Sequence, residues 1–449
     1  MDYFIVRDDL VIYIYIGVYS QLNSLCLPSR MCAILTIILQ AIIFTASCVL
    51  CLNNGLTRTP PMGWKFCPQF RCPVNCQKYP KGCLSENEIK RTADKLVSDG
   101  WRDLGYKYMV IDDFWLANKR DLEMNNMSAY STRFPNGIES VGKYLHSKNL
   151  LFGINLGKGD TKCSGYPEII NQLELDAKAV ADWGVDFVKL HACHCTENYF
   201  EKYIKLREGT GRPVMLLCTY PEYKYWITNP NLFDWKRLQN TCNLWRASYN
   251  GRNDSRYIIH YIIPRKIHDN DSPNLAGSGR WNDPGLLDLG NNGLTNDQNR
   301  VHVGVWCMFA APLLISTDME KVDKFSASLL RNKHLLAINQ DKGEHRAKFV
   351  KSRNDVQLWI RKLSDHPSGW VIAYVNTRDD GRSMKFVTSL DEFKSQMYTI
   401  SGDKFHLLDV FTGERFKDVR LRENFTISIN PSGIMMFRII PFQLIRSSK

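Results

Sequence analysis

Between Leu52 and Gln340, short apolar runs alternate with stretches of helical periodicity about eight times, and this constrains the fold more than any other property of the chain. The runs MGWKF (62–66), YKYMVIDDFW (106–115), LLFGINLG (150–157), VDFVKLHACHC (185–195), PVMLLCTY (213–220), LWRASYN (244–250), WNDPGLLDLG (281–290) and PLLIST (312–317) read as strands. Helical sequence separates them. One helix opens at the capping box Ser85-Glu-Asn-Glu88 and runs to about Gly105, another spans Gly137 to Lys148, and the last, SASLLRNKHLLAINQ, covers 326–340. Eight such units close into a (β/α)8 TIM barrel, an α/β fold that carries its chemistry at the C-terminal ends of the strands.

Beyond about Lys342 the helices stop. VQLWIRKL, GWVIAYVNT, KFVTSL, MYTI, FHLLDVFT, NFTISIN and GIMMFRII follow with turn signals between them, the pattern of a C-terminal antiparallel β-sandwich. The expected division is therefore 1–51 as N-terminal extension and signal, 52–342 as barrel and 343–449 as sandwich. Residues 32–51, CAILTIILQAIIFTASCVLC, follow Arg30 and Met31 as a secretory signal would, and the run is also about long enough to anchor in a bilayer if uncleaved. Met1 and Met31 both remain open as the start. Asn126, Asn253 and Asn424 head glycosylation sequons, in keeping with the secretory pathway, lysosome or extracellular space.

The net charge of +12 is spread without any block of like charges, which argues against a nucleic-acid partner and leaves anion binding as an alternative. Of the 14 cysteines, Cys26, Cys32, Cys48 and Cys51 precede the mature part, and the remaining ten should largely pair in an oxidising compartment.

In VDFVKLHACHC, strand alternation puts Lys189, His191 and Cys193 on one face and Leu190 and Ala192 on the other. Lys189 and His191 would then face the barrel mouth. His191, Cys193, His194 and Cys195 cannot all converge on one ion from a strand, so no metal is expected, and no cofactor is implied.

Leu52-Asn-Asn-Gly-Leu-Thr-Arg-Thr-Pro-Pro-Met-Gly-Trp64, Ile111-Asp-Asp113, Ala181-Asp-Trp-Gly-Val-Asp186, Trp281-Asn-Asp-Pro284 and Ala337-Ile-Asn-Gln-Asp341 together resemble the lysosomal α-galactosidase and α-N-acetylgalactosaminidase family of glycoside hydrolases. The likeness runs collinearly from Leu52 into the sandwich. It implies a TIM barrel with a C-terminal β-sandwich, a homodimer, and removal of terminal α-linked galactose or N-acetylgalactosamine with retention.

A retaining glycosidase needs two carboxyl groups roughly 5 Å apart, one as nucleophile and one as acid and then base. The family's nucleophile strand, Lys-Phe-Asp-Gly-Cys, aligns with Lys189-Leu-His-Ala-Cys193, so the nucleophile position holds His191. The acid/base position, four residues after Arg246, holds Asn250. An amide has no proton to lend, and an imidazolium opposes an oxocarbenium-like transition state.

The resemblance further implies sugar contacts from Asp112, Asp113, Lys189 and Arg246, with Thr219 and Tyr223 in the loop that sets specificity. Three family positions are changed: a Trp is Cys67, a Tyr is Asn155 and an Asp is Gly285. Glu222 would crowd an acetamide. Asp112 and Asp113 are equally open to a bland reading, as a strand-end pair satisfied by Lys189 and Arg246 with His191 held in the same cluster. The family disulfides correspond to Cys76–Cys83, Cys163–Cys193 and Cys218–Cys242. A fourth loses its partner to Phe114, which leaves Cys67 to pair with Cys72 and Cys195 and Cys307 free.

The function expected is a glycosidase homologue, impaired or inactive, that keeps a sugar-binding or scaffold role toward an α-galactoside-like sugar or glycoconjugate. Two alternatives stand beside it: an active α-glycosidase rebuilt around Asp113 or Asp160, and a secreted anion-binding protein.

Overall fold

The computed structural model describes residues 54–66, 74–79, 82–111, 114–117, 119–121, 127–157, 172–191, 199–219, 235–246, 276–285, 287, 289–290, 293–343, 345–364, 369–397 and 402–442. The apolar run 32–51 lies outside them. Among the described residues, no helix is long and apolar enough to cross a membrane.

Strands β1 (Met62–Phe66), β2 (Tyr108–Ile111), β3 (Leu151–Gly157), β4 (Phe187–His191), β5 (Met215–Thr219), β6 (Leu244–Arg246), β7 (Trp281–Asn282) and β8 (Leu313–Ile315) form one eight-stranded parallel sheet. β1 pairs with both β2 and β8, and the parallel bridge Leu287–Ile315 joins the other end of the sheet. The barrel thus closes as the alternation requires. Helices α1 (Glu86–Ser98), α2 (Gly137–Ser147), α3 (Leu173–Asp182), α4 (Tyr199–Gly209), α5 (Trp235–Thr241) and α6 (Asn296–Met308) lie between successive strands.

Two helix expectations are corrected. The Ser85 hydroxyl caps α1 by accepting from the Glu88 N–H, but the helix ends at Ser98, short of Gly105. Gly100, at φ 75°, turns the chain left-handed there, and a 3₁₀ turn (Arg102–Leu104) follows. The expected helix 326–340 is two, α7 (Lys324–Leu330) and α8 (Lys333–Asn339). Asn332 divides them: its Oδ1 accepts from His334 N and Leu335 N, while its Nδ2 donates to the carbonyls of Val410 and Phe411. Local periodicity gave no sign that this residue also serves a distant turn.

The C-terminal part is antiparallel. β9 (Lys348–Arg353), β10 (Val356–Lys362), β11 (Trp370–Asn376), β13 (Lys404–Asp409), β14 (Arg415–Arg420) and β16 (Ile434–Pro441) form one sheet in the order β14-β13-β16-β11-β10-β9, and β12 (Met384–Thr388) pairs with β15 (Phe425–Ile429) in a second. Strands β9 and β14 are not legible in the apolar pattern, because they are the edges: KFVKSR and RFKDVR carry the charges that keep an open edge soluble. Of the MYTI run, Met397 lies outside any strand, and 398–400 are outside the described residues.

Strands β10, β11 and β16 are buried on both faces, which explains their nearly continuous apolar runs. Leu358, Ile360, Ile372, Tyr374, Phe437 and Ile439 pack toward Phe386, Phe425, Ile427 and Ile429 of the small sheet. On the opposite parity Trp359, Val371, Ala373, Val375, Ile434 and Met436 join the barrel core. Gly304 of α6 meets Met436 and Ile434 at this joint.

Polar groups complete the joint. Arg361 of β10, fully buried, donates from Nε to the His345 carbonyl (2.8 Å) and from Nη1 to the Cys307 carbonyl at the C-terminal end of α6. A cation suits a helix C-terminus, where carbonyls lack helical partners. Asn339 Nδ2 donates to the carbonyls of Trp306 and Ala311, and Asp341 accepts from the Ser364 N–H and hydroxyl.

Candidate functional site

The parallel register aligns the C-terminal ends of β3 to β6. Gly157 pairs with His191, His191 with Thr219, and Thr219 with Arg246. The Asp283 N–H, one residue past β7, donates to the Trp245 carbonyl (2.8 Å) and extends this row by one strand. The row is the rim at which a barrel of this kind presents reactive groups.

One layer deeper, Asn155 of β3 is in register with Lys189 of β4, and Lys189 with Leu217 of β5. Lys189 is 1% exposed and Asn155 4%. An ammonium that deep persists only with acceptors around it. The Thr219 hydroxyl donates to the Leu190 carbonyl (3.0 Å), so its proton is committed to the neighbouring strand.

Arg246 is the best-defined polar group of the rim. Its Nε (3.0 Å) and Nη2 (2.6 Å) both donate to Oδ2 of Asp283, and the side chains are 3% and 2% exposed. The other carboxylate oxygen accepts the Gly285 N–H at 3.0 Å. Gly285 sits at φ 129°, where an L-residue is strained. Asp283 is a rim residue that sequence reasoning passed over. It stood inside the quoted Trp281-Asn-Asp-Pro284 motif, and the signal that could have singled it out is its place one residue beyond a strand end facing Arg246.

Other sequence-derived positions fall differently. His191 is the last residue of β4; its side chain, together with Asn250, Asp112, Asp113 and Tyr223, lies outside the described residues. Phe114, directly after the Asp112–Asp113 pair, has φ 70°, and its carbonyl accepts from Arg133. A bulky residue so placed is strained, and strain of this kind gathers at functional sites. Shortly beyond, Arg120 grips Asp176 of α3 through both guanidinium ends, Nη1 to Oδ1 at 2.8 Å and Nη2 to Oδ2 at 2.7 Å. Burial pushes the Asp176 carboxyl up, and Arg120 opposes that shift.

Several motif residues are scaffold. Asp186 accepts from Phe152 N and Arg212 Nη2 and contacts His146 Nε2 at the N-terminal end of β4. Asn243, fully buried, bonds with Asn54, Leu216 N and the Gly279 carbonyl. Gln340 Nε2 donates to the Pro60 carbonyl and ties the last helix to the first strand.

Disulfides join Cys76 to Cys83 and Cys218 to Cys242, the latter tying β5 to the end of α5. Cys163, Cys193, Cys67, Cys72 and Cys195 lie outside the described residues. Cys307 is a free, buried thiol pushed up to about 12 by burial. Asn424 is exposed in the turn before β15, while Asn126 and Asn253 are outside the described residues. Among the described residues, no group of three or more His, Cys, Asp or Glu side chains could hold a metal ion.

Comparison with known proteins agrees with this architecture. Residues 59–341 match the family model described as alpha galactosidase A, and 343–433 match that of the alpha galactosidase A C-terminal beta sandwich domain. The chain is 35% identical over 402 residues to an alpha-N-acetylgalactosaminidase of Gallus gallus, covering 88% of this chain and 96% of that protein. It is 35% identical over 336 residues to alpha-galactosidase A of Homo sapiens, covering 74% and 77%. Among solved structures, alpha-galactosidase I from Mortierella vinacea superposes with a TM-score of 0.74 at 24% identity, covering 87% of this chain and 98% of that one, a likeness of fold. With both of its parts matched and 35% of the aligned residues identical to the Gallus gallus and Homo sapiens relatives, the chain belongs to the alpha-galactosidase A family of glycoside hydrolases.

Proposed function

We propose that this protein is a glycosidase homologue that binds a terminal α-galactose-type sugar at the barrel mouth while its hydrolytic activity is impaired or lost. The observation that carries the reading is the pair of replacements at the catalytic positions, His191 at the end of β4 and Asn250 beyond β6. Double displacement needs a carboxylate to form the glycosyl intermediate and a carboxylic acid to protonate the leaving oxygen. Neither residue supplies one, and such losses cost on the order of 10⁴ to 10⁶ in rate.

Arg246 and Thr219 on the described rim and Lys189 one layer below it support retained recognition, and the family resemblance adds Asp112, Asp113 and Tyr223 as sugar contacts. Galactose then binds weakly, in about the millimolar range or worse, since Asn155, Gly285 and Cys67 replace groups that grip the sugar. The same reading places the boundary between barrel and sandwich near residue 342 and the protein in the secretory pathway, lysosomal or extracellular, as a glycosylated homodimer.

The test is turnover of aryl α-galactoside and aryl α-N-acetylgalactosaminide across pH 4 to 7, together with thermal melting in each free sugar. Stabilisation without turnover is the expected result. Turnover at rates usual for enzymes, about 1 to 10³ per second, would instead establish a rebuilt active site.

A further inference from the structure

We infer that a single buried water molecule bridges Trp306 of α6 and Asn282 of β7, and that this bridge pins the end of the strand against the helix that follows it. Strand β7 is two residues long, the shortest of the eight, and within the sheet it is hydrogen-bonded to β6 alone. So short a ladder supplies few bonds, and the strand end must be held from the helix side. Alternation turns Asn282 to the face opposite Asp283, toward α6.

A cavity lies there, walled by Asn282, Pro284, Val305, Trp306, Phe309 and Arg346, with about 20 Å³ open to the centre of a water molecule. A buried water needs roughly 10–15 Å³ on this measure and two to four polar partners. Trp306 is 1% exposed and its Nε1 has no acceptor, while the buried Oδ1 of Asn282 has no donor. The His302 ring, edge-on to the indole with centroids 4.4 Å apart, helps to fix the plane in which Nε1 points. An indole N–H only donates and an amide oxygen only accepts, yet the two do not bond to each other. The occupant must therefore accept from one and donate to the other. A halide or carboxylate cannot donate to Oδ1, a metal cation cannot accept from Nε1, and the space is too small for a sugar or polyol. Water meets all three conditions. In a dry cavity both atoms would keep their full desolvation penalty.

The first measurement needs no variant. A crystal structure of the wild-type protein at a resolution that shows ordered waters should place one within about 3.2 Å of both Trp306 Nε1 and Asn282 Oδ1. An empty cavity, or density for a larger molecule, would overturn the proposal. The second is a double-mutant cycle in urea with Trp306→Phe, which removes the donor and keeps a ring, and Asn282→Leu, which removes the acceptor at similar volume. Each single change should lower the folding equilibrium constant roughly tenfold, because the water loses one anchor while the other polar atom stays buried. The double variant should fall well short of roughly a hundredfold, the product of the two, since both polar ends are then gone. Effects that simply multiply would show that the two atoms share no water. Amide exchange reads the strand end: in Trp306→Phe the Asp283 N–H, which donates to the Trp245 carbonyl, should exchange faster relative to the N–H groups of β4 and β5. An unchanged ratio would overturn the pinning of β7. Should a variant fail to fold, the wild-type water still decides.

Discussion

Gly304 of α6 lies so close to Met436 of β16 that a Cβ on the glycine would come within 2.8 Å of the methionine sulfur and 3.1 Å of Ile434 Cδ1. The close approach lets a barrel helix rest directly on the six-stranded sheet and merges the two apolar cores.

Gly304→Val should therefore cost about 1–3 kcal/mol, the usual effect of overpacking. Gly304→Ala should be nearly neutral, because the flexible Met436 side chain can yield and alanine favours the helix by up to about 1 kcal/mol. Urea unfolding of both variants checks this. Adding Met436→Ala to Gly304→Val should recover part of the loss, and an additive double variant would show that the two residues do not meet.

The same joint should weaken in acid. His334 packs beneath Gly413, where a Cβ would fall 2.5 Å from its Nε2. Its pKa lies below the ordinary 6.5, first because of burial and then because of Lys333 and Arg438. A base depressed in the folded state takes its proton first in the unfolded chain, so stability falls as pH drops below about 6.5. Thermal midpoints from pH 7.5 to 5.5 should decline less steeply in His334→Gln than in the wild type, and parallel curves would exclude His334 as the source.

Restoring the carboxylates is the direct test of the proposed loss. His191→Asp with Asn250→Asp should yield measurable α-glycosidase activity on an aryl substrate, while either change alone does little, since the two groups act as a unit. The double variant should stay far below its enzymatic relatives. A folded double variant with no activity at all would show that the pocket has gone as well as the pair.

Adding Gly285→Asp to that variant should not improve it. Residue 285 stands at φ 129°, and its N–H holds Asp283 in place. An L-residue there costs on the order of 1–3 kcal/mol in strain and disturbs the Asp283–Arg246 pair. A gain in activity with an unchanged melting temperature would contradict this.

By itself the sequence determined the class of fold and the replacements on which the proposed loss of hydrolysis rests. Alternation of apolar runs and helical periods is a local property, and it specified a parallel barrel and placed Lys189 and His191 on one face of β4, because side-chain parity in a strand needs no knowledge of neighbours. The identities of His191 and Asn250 needed only a collinear resemblance. Tertiary structure decided the pairings. Arg246 could have been assigned to Asp112 and Asp113; among the described residues its carboxylate is Asp283, 37 positions along the chain. Asn332 splits a helix for the sake of carbonyls at Val410 and Phe411, and Arg361 closes the end of α6 from another domain. The edge strands β9 and β14 became visible only once their partners were in place, since an edge is defined by the strand it lacks. Periodicity reports which face of an element is buried, and only the packed chain brings together the residues that settle which charge meets which.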